Sequence, residues 1–138
     1  MTLRVCGAVL LLCAVFAVQK RQQDRQKDRI AALQALAQFV GQAQREISEK
    51  RTPAAALFSR APDARTLCAL NAQEAEQWAC FCRELGGGDT ACEERRCAAF
   101  SEYLHQNLHK AHEENKLCAH LHAPLALLGG AGMILLLW

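Results

Sequence analysis

The chain has 138 residues and a formal net charge of +2, with 51% hydrophobic residues, 22% charged residues and eight cysteines. That length holds one soluble domain at most, and so small a charge gives no argument for a nucleic-acid partner. Only three prolines occur, and Ala, Leu, Gln, Glu and Arg dominate between the ends, which favours helix over strand.

Residues 1–18, MTLRVCGAVLLLCAVFAV, are apolar from Val5 onward. The run is short for a membrane helix, which takes about 20 residues, and it has the length of a signal-peptide core. No A-x-A cleavage site closes it, and Leu12 rather than a small residue precedes Cys13. Lys20, Arg21, Arg25, Lys27 and Arg29 follow the run, against a single Arg before it. A basic flank stays in the cytosol, so residues 1–18 are expected to be an uncleaved anchor whose following residues are cytosolic.

Next, Ile30, Leu33, Ala37, Val40 and Ile47 recur at steps of three and four with Gln44 at the gap, and Leu36 and Phe39 widen the stripe. This pattern predicts a long amphipathic helix from about Arg25 to Lys50. Thr52-Pro53 is a restart signal, a capping hydroxyl followed by proline at the first helical position. A short helix carrying Ala56, Leu57 and Phe58 should follow, and Pro62-Asp63 punctuates it. Asn71 and Glu74 have the spacing of a capping box, opening a helix with Trp78, Phe81, Cys82 and Leu85 on its apolar side. Gly86 is placed to close that helix.

Gly86 to Gly88 release the chain, and Thr90 with Glu93 form another capping-box pair. No Gly or Pro then occurs before Pro124, and Cys97, Phe100, Leu104, Leu108, Ala111, Cys118 and Leu121 form a stripe with its gap at Asn115. That predicts a helix of roughly 30 residues. Beyond Pro124 the sequence LALLGGAGMILLLW carries no charge, and Lys110 and Lys116 stand before it, so residues 123–138 are expected to form a second anchor with its leading end cytosolic. Ala126 and Gly130 form either a small-xxx-small face for another membrane helix or part of a plain lipid-facing surface. The fold expected is all-α: an antiparallel bundle of two long and two short helices in residues 19–122, flanked by a transmembrane helix at each end.

Few residues suggest chemistry. His105, His109 and His112 share one helix face, with Cys118, His120 and His122 beyond, a spacing that can hold a transition metal. The simpler reading makes them the polar shoulder of the apolar stripe. Cys80-x-Cys82 and Cys92-x4-Cys97 lack the CxxC spacing of zinc ribbons and redox motifs. The cysteines of the middle region are either a disulfide framework, in a secreted chain, or packing residues in a reducing compartment. Gly86-Gly87-Gly88 has no Gly-Lys-Ser/Thr after it, and no serine stands in a nucleophile elbow. No enzyme activity, cofactor or bound metal is expected.

Three stretches carry a resemblance: Ile47–Leu57 (ISEKRTPAAAL), Phe81–Asp89 (FCRELGGGD) and Leu125–Trp138 (LALLGGAGMILLLW). With their order between two apolar ends, the chain resembles the stage III sporulation protein AB family of endospore-forming bacteria. The resemblance implies a helical domain similar to the platform domain of type II secretion systems, in the mother-cell membrane facing the forespore. It implies a secretion-type ATPase and other proteins of the same sporulation complex as partners, and interaction or structural roles for Thr52, Pro53, Leu57, Phe81, Leu85, Gly86, Asp89, Gly129 and Gly130; Leu104 and Leu108 are expected to be structural from their place on the apolar stripe. This chain differs from the family in its short Ser59–Leu70 segment and in carrying Glu93, Glu94 and Arg95 where a glutamine is usual. The residues alone also leave open a secreted, disulfide-stabilised helical domain and a metal- or redox-responsive membrane protein.

Overall fold

The computed structural model describes residues 2–51 and 53–137. Among them are five helices and no strand: α1 (Thr2–Lys50), α2 (Ala54–Phe58), α3 (Ala64–Leu67), α4 (Ala72–Glu84) and α5 (Thr90–Leu137). The protein is all-α. It divides into two compact units, Lys27–Ala111 and the pair Met1–Gln26 with His112–Trp138, and both long helices contribute to both units.

The expected anchors are therefore not separate helices. The N-terminal apolar run continues into α1, because nothing between Gly7 and Gly41 interrupts helical propensity. α5 continues through Pro124; proline withholds one N–H and crowds the preceding turn, while the bonds on either side persist. The boundaries expected at 18/19 and 122/123 lie inside continuous helix.

In the Lys27–Ala111 unit, α1 buries Leu33, Leu36, Val40, Ala43 and Ile47, each no more than 2% exposed. Their 3-4-3-4 spacing is the seam of a coiled-coil-like contact. Ala43, not the gap residue Gln44, lies on that seam, and Ala37 sits at its shoulder. α4 adds Trp78, Phe81 and Leu85, and α5 adds Cys97, Phe100, Leu104 and Ala111. Leu57 of α2 is also buried, with Phe58, Leu67 and Leu70 packed against the same core. Three helices meet in an aromatic cluster: the Phe81 and Phe100 rings stack at 4.5 Å, and Trp78 contacts Phe39 at 5.8 Å and 75°. Such pairs contribute about 0.5–1.5 kcal/mol each beyond their buried area.

The caps follow the sequence with two one-residue corrections. Asn71 and Glu74 form the expected capping box: the Glu74 N–H donates to Asn71 Oδ1 at 2.7 Å, and the Asn71 N–H donates to Glu74 Oε2 at 3.1 Å. At α5 the cap is Asp89 rather than Thr90. Asp89 Oδ1 accepts from the Thr90 N–H at 2.9 Å, and its carbonyl accepts from the N–H groups of Cys92 and Glu93. Both residues are good caps, and Asp89 comes first and brings negative charge to the positive end of the helix. Pro53 likewise stands at the N-cap of α2, its carbonyl accepting from the Ala56 N–H, rather than at the first helical position. Thr52 lies outside the described residues.

Two further features differ from expectation. α3 supplies one helical turn within the short 59–70 segment, started by Asp63, whose carbonyl accepts from Thr66 and Leu67. α1 ends at Arg51 with φ 50°, a left-handed conformation usually left to glycine. Gly86, at φ 96°, follows the C-cap residue Leu85 of α4.

Candidate functional site

α4 is fastened at both ends. At its start, the Glu74 carboxylate is 3% exposed and faces Arg29 of α1, which is 18% exposed. Arg29 Nη2 donates to Glu74 Oε1 at 2.6 Å, and Nε lies 3.1 and 3.2 Å from the two oxygens. One carboxylate thus completes the α4 capping box and accepts a forked guanidinium. At the other end, Arg96 of α5 donates from Nη1 to the Glu84 carbonyl at 2.5 Å, satisfying one of the last carbonyls of α4. The arrangement makes α4 a bridge between α1 and α5, with Trp78 and Phe81 as its apolar filling.

The residues expected to matter separate into three groups. Leu57, Phe81, Leu85 and Leu104 belong to the core, and Leu108 is half-buried beside it. Pro53, Gly86 and Asp89 shape helix ends. Gly129 and Gly130 lie where an added Cβ would meet nothing within 4 Å among the described residues. The Ala126 side chain, the other member of the small-residue pair, lies outside the described residues.

His105, His109 and His112 are all exposed on α5. His105 Nδ1 donates to the Ser101 carbonyl at 2.7 Å, which places the proton on Nδ1 because a carbonyl can only accept. Among the described residues no three His, Cys, Asp or Glu side chains converge as a metal site would require. All eight cysteines are free thiols, from the exposed Cys6, Cys13, Cys68 and Cys92 to the fully buried Cys97. Burial raises the Cys97 thiol from its ordinary 9.0 to about 11, with the charges of Glu93 and Glu94 adding to the effect. Burial also raises Cys82. Both therefore remain protonated and poorly nucleophilic near neutrality.

Shallow clefts among the described residues of the Lys27–Ala111 unit include the following two. One of about 330 Å³ is lined by Gly41, Gln44, Arg45, Ser48, Glu49 and Glu94. The other, about 380 Å³, runs between Gln38 and Gln42 of α1 and the Arg60–Asp63 turn. Arg60 is held there by Glu46, Nη1 to Oε1 at 2.6 Å.

The largest feature is the distribution of apolar surface. Every exposed large hydrophobic side chain among the described residues lies in 5–18 or 117–135, and none lies in 27–111. The stripe of α5 follows this division: Cys97, Phe100, Leu104 and Ala111 are buried and Leu108 half-buried, whereas Cys118 is half-exposed and Leu121 is 58% exposed, so the expected stripe does not stay buried through its last two members. α1 contains a stretch long and apolar enough to cross a membrane, with mean hydropathy 1.4 and none of that stretch buried. Sequence reasoning missed Arg29, which it counted with the basic flank. The only local signal was the (i, i+3) Asn71–Glu74 pair, which marks the cap but not the partner across the fold. No protein-family model, curated protein or solved structure matches this chain.

Proposed function

We propose that this protein is a membrane-anchored scaffold. Its two apolar helical ends span a membrane, its Lys27–Ala111 helical core stands on the cytosolic side, and that core serves as a platform for a secretion-type ATPase in a sporulation-associated channel between mother cell and forespore. The observation that carries the anchoring is the complete segregation of exposed large hydrophobics into the terminal segments. A soluble protein does not maintain such a surface in water. The basic run from Lys20 to Arg29 favours the cytosolic orientation. The ATPase and the sporulation setting rest on the resemblance of residues 47–57, 81–89 and 125–138 to the stage III sporulation protein AB family.

A scaffold of this kind transmits position rather than performing chemistry, so its working part is a stiff link. α5 provides one, running without interruption from the core residue Cys97 to the apolar turns beyond Pro124. The test is Glu114→Pro in a sporulating host, a kink that leaves both apolar ends and the aromatic core in place. The variant is expected to accumulate in the membrane and to stop spore development after engulfment. A membrane-impermeant maleimide is expected to reach the exposed Cys68 and Cys92 only after lysis. Normal sporulation at wild-type protein levels would remove the coupling role, and labelling in intact cells would reverse the orientation.

A further inference from the structure

The charges bracketing the apolar start of α1 are close together. Arg4 and Lys20 enclose fifteen uncharged residues, Val5 to Gln19, and at about 1.5 Å per residue these span about 22 Å. A typical hydrocarbon core is about 30 Å thick. The chain cannot make up the difference by extending, because α1 is continuous helix from Thr2 to Lys50. Tilting would shorten the projection further. Beyond Lys20 come Arg21, Asp24, Arg25, Lys27 and Asp28, all exposed, so drawing more of the helix inward would take several charges out of water.

Among the described residues, none of this segment is buried. From Val5 to Val18 every residue is exposed on every face of the helix, except Ala8, which is half-exposed. A helix that is apolar all round and bare all round fits lipid rather than a protein groove, which would leave one face polar. Lys20 can recover part of the shortfall by reaching back to the interface along its aliphatic stem; the bilayer must supply the rest by being thin or becoming thin around the helix.

We propose that the α1 segment Val5–Gln19 is matched to a thin bilayer, and that the protein selects short-chain lipid surroundings or thins the membrane where it sits. This rests on the reading of α1 as a membrane span. The test reconstitutes the full chain into phosphatidylcholine vesicles with myristoleoyl, oleoyl or erucoyl chains and measures the fraction that floats with lipid and resists alkaline extraction. A second chain carries seven extra apolar residues between Val15 and Phe16, adding about 10 Å while keeping the helix faces nearly in phase. Circular dichroism checks the fold of both. The inserted fraction of the native chain should fall about tenfold from the shortest lipid to the longest, and the lengthened chain should move its optimum to a longer lipid. Equal insertion in all three lipids, a preference for the longest, or an unchanged optimum in the lengthened chain would overturn the inference while leaving the span intact. Failure of the native chain to insert into any of the three would overturn the span itself, and the inference with it.

Discussion

Replacing Arg29 by Met removes the cation facing a carboxylate that is 3% exposed. Glu74 would then keep the Asn71 N–H at 3.1 Å, having lost contacts at 2.6, 3.1 and 3.2 Å to Arg29. Breaking a buried pair from one side costs about 3–5 kcal/mol, most of it from the stranded charge. The surviving backbone bond and the partial exposure of the site point to the low end, about 3 kcal/mol. At about 4–8 °C per kcal/mol for a domain of this size, the melting temperature should fall by about 15 °C. Glu74→Gln keeps a capping-box side chain and should cost about 1.5 kcal/mol. The double variant Arg29→Met/Glu74→Gln strands no charge and should return to within about 1 kcal/mol of the native protein. Chemical denaturation of the full chain in mild detergent, followed by tryptophan fluorescence and circular dichroism, gives all four corners of the cycle. If the double variant loses the sum of the single losses, the pair is not coupled and α4 is not clamped to α1 through Glu74.

The same assay checks three other expectations. Leu104→Ala, at 1% exposure, should cost about 3 kcal/mol, whereas Leu108→Ala, half-buried, should cost less than half of that and Glu102→Ala should be nearly silent. Because the Cys97 thiol titrates at about 11 in the fold instead of 9.0, its contribution to stability is complete below pH 9 and is lost as pH rises from 9 toward 11. Cys97→Ala should therefore flatten the alkaline fall in melting temperature, and an unchanged fall would contradict this assignment. Arg51→Gly relieves a left-handed arginine at the end of α1 and should stabilise the protein by about 0.5–1 kcal/mol; a loss would mean the arginine side chain holds a contact there.

What could be read from the sequence was local. The Asn71–Glu74 box, the closing role of Gly86 and the apolar faces of α4 and α5 as far as Ala111 are set by spacings of three and four, which the helix itself enforces. What could not be read depended on choices between neighbours or on distant partners. Asp89 and Thr90 are both competent caps, and only the fold shows which one the helix uses. Gln44 fits a heptad frame as well as Ala43 does, and packing decides for the residue that fits the seam. Arg29 looks like one more basic residue after an apolar run, because the carboxylate it meets lies 45 positions away. Pro124 looks like a helix end, since propensity counts its penalty but not the intact turns around it. The surface that would contact a partner left the least trace, because α4 and the clefts are lined by residues common on any solvated helix.

The passage of α5 through Pro124 has a consequence for the proposed membrane position of that helix. Proline brings no N–H to the carbonyl four residues earlier, that of His120. In hydrocarbon a carbonyl deprived of its donor costs several kcal/mol, whereas water satisfies it at little cost. With the turns beyond Pro124 in the membrane, as proposed above, the His120 carbonyl acts as a float that holds its turn at the waterline. Pro124→Ala would release it, letting α5 sink or slide along the membrane normal while its apolar composition stayed almost the same.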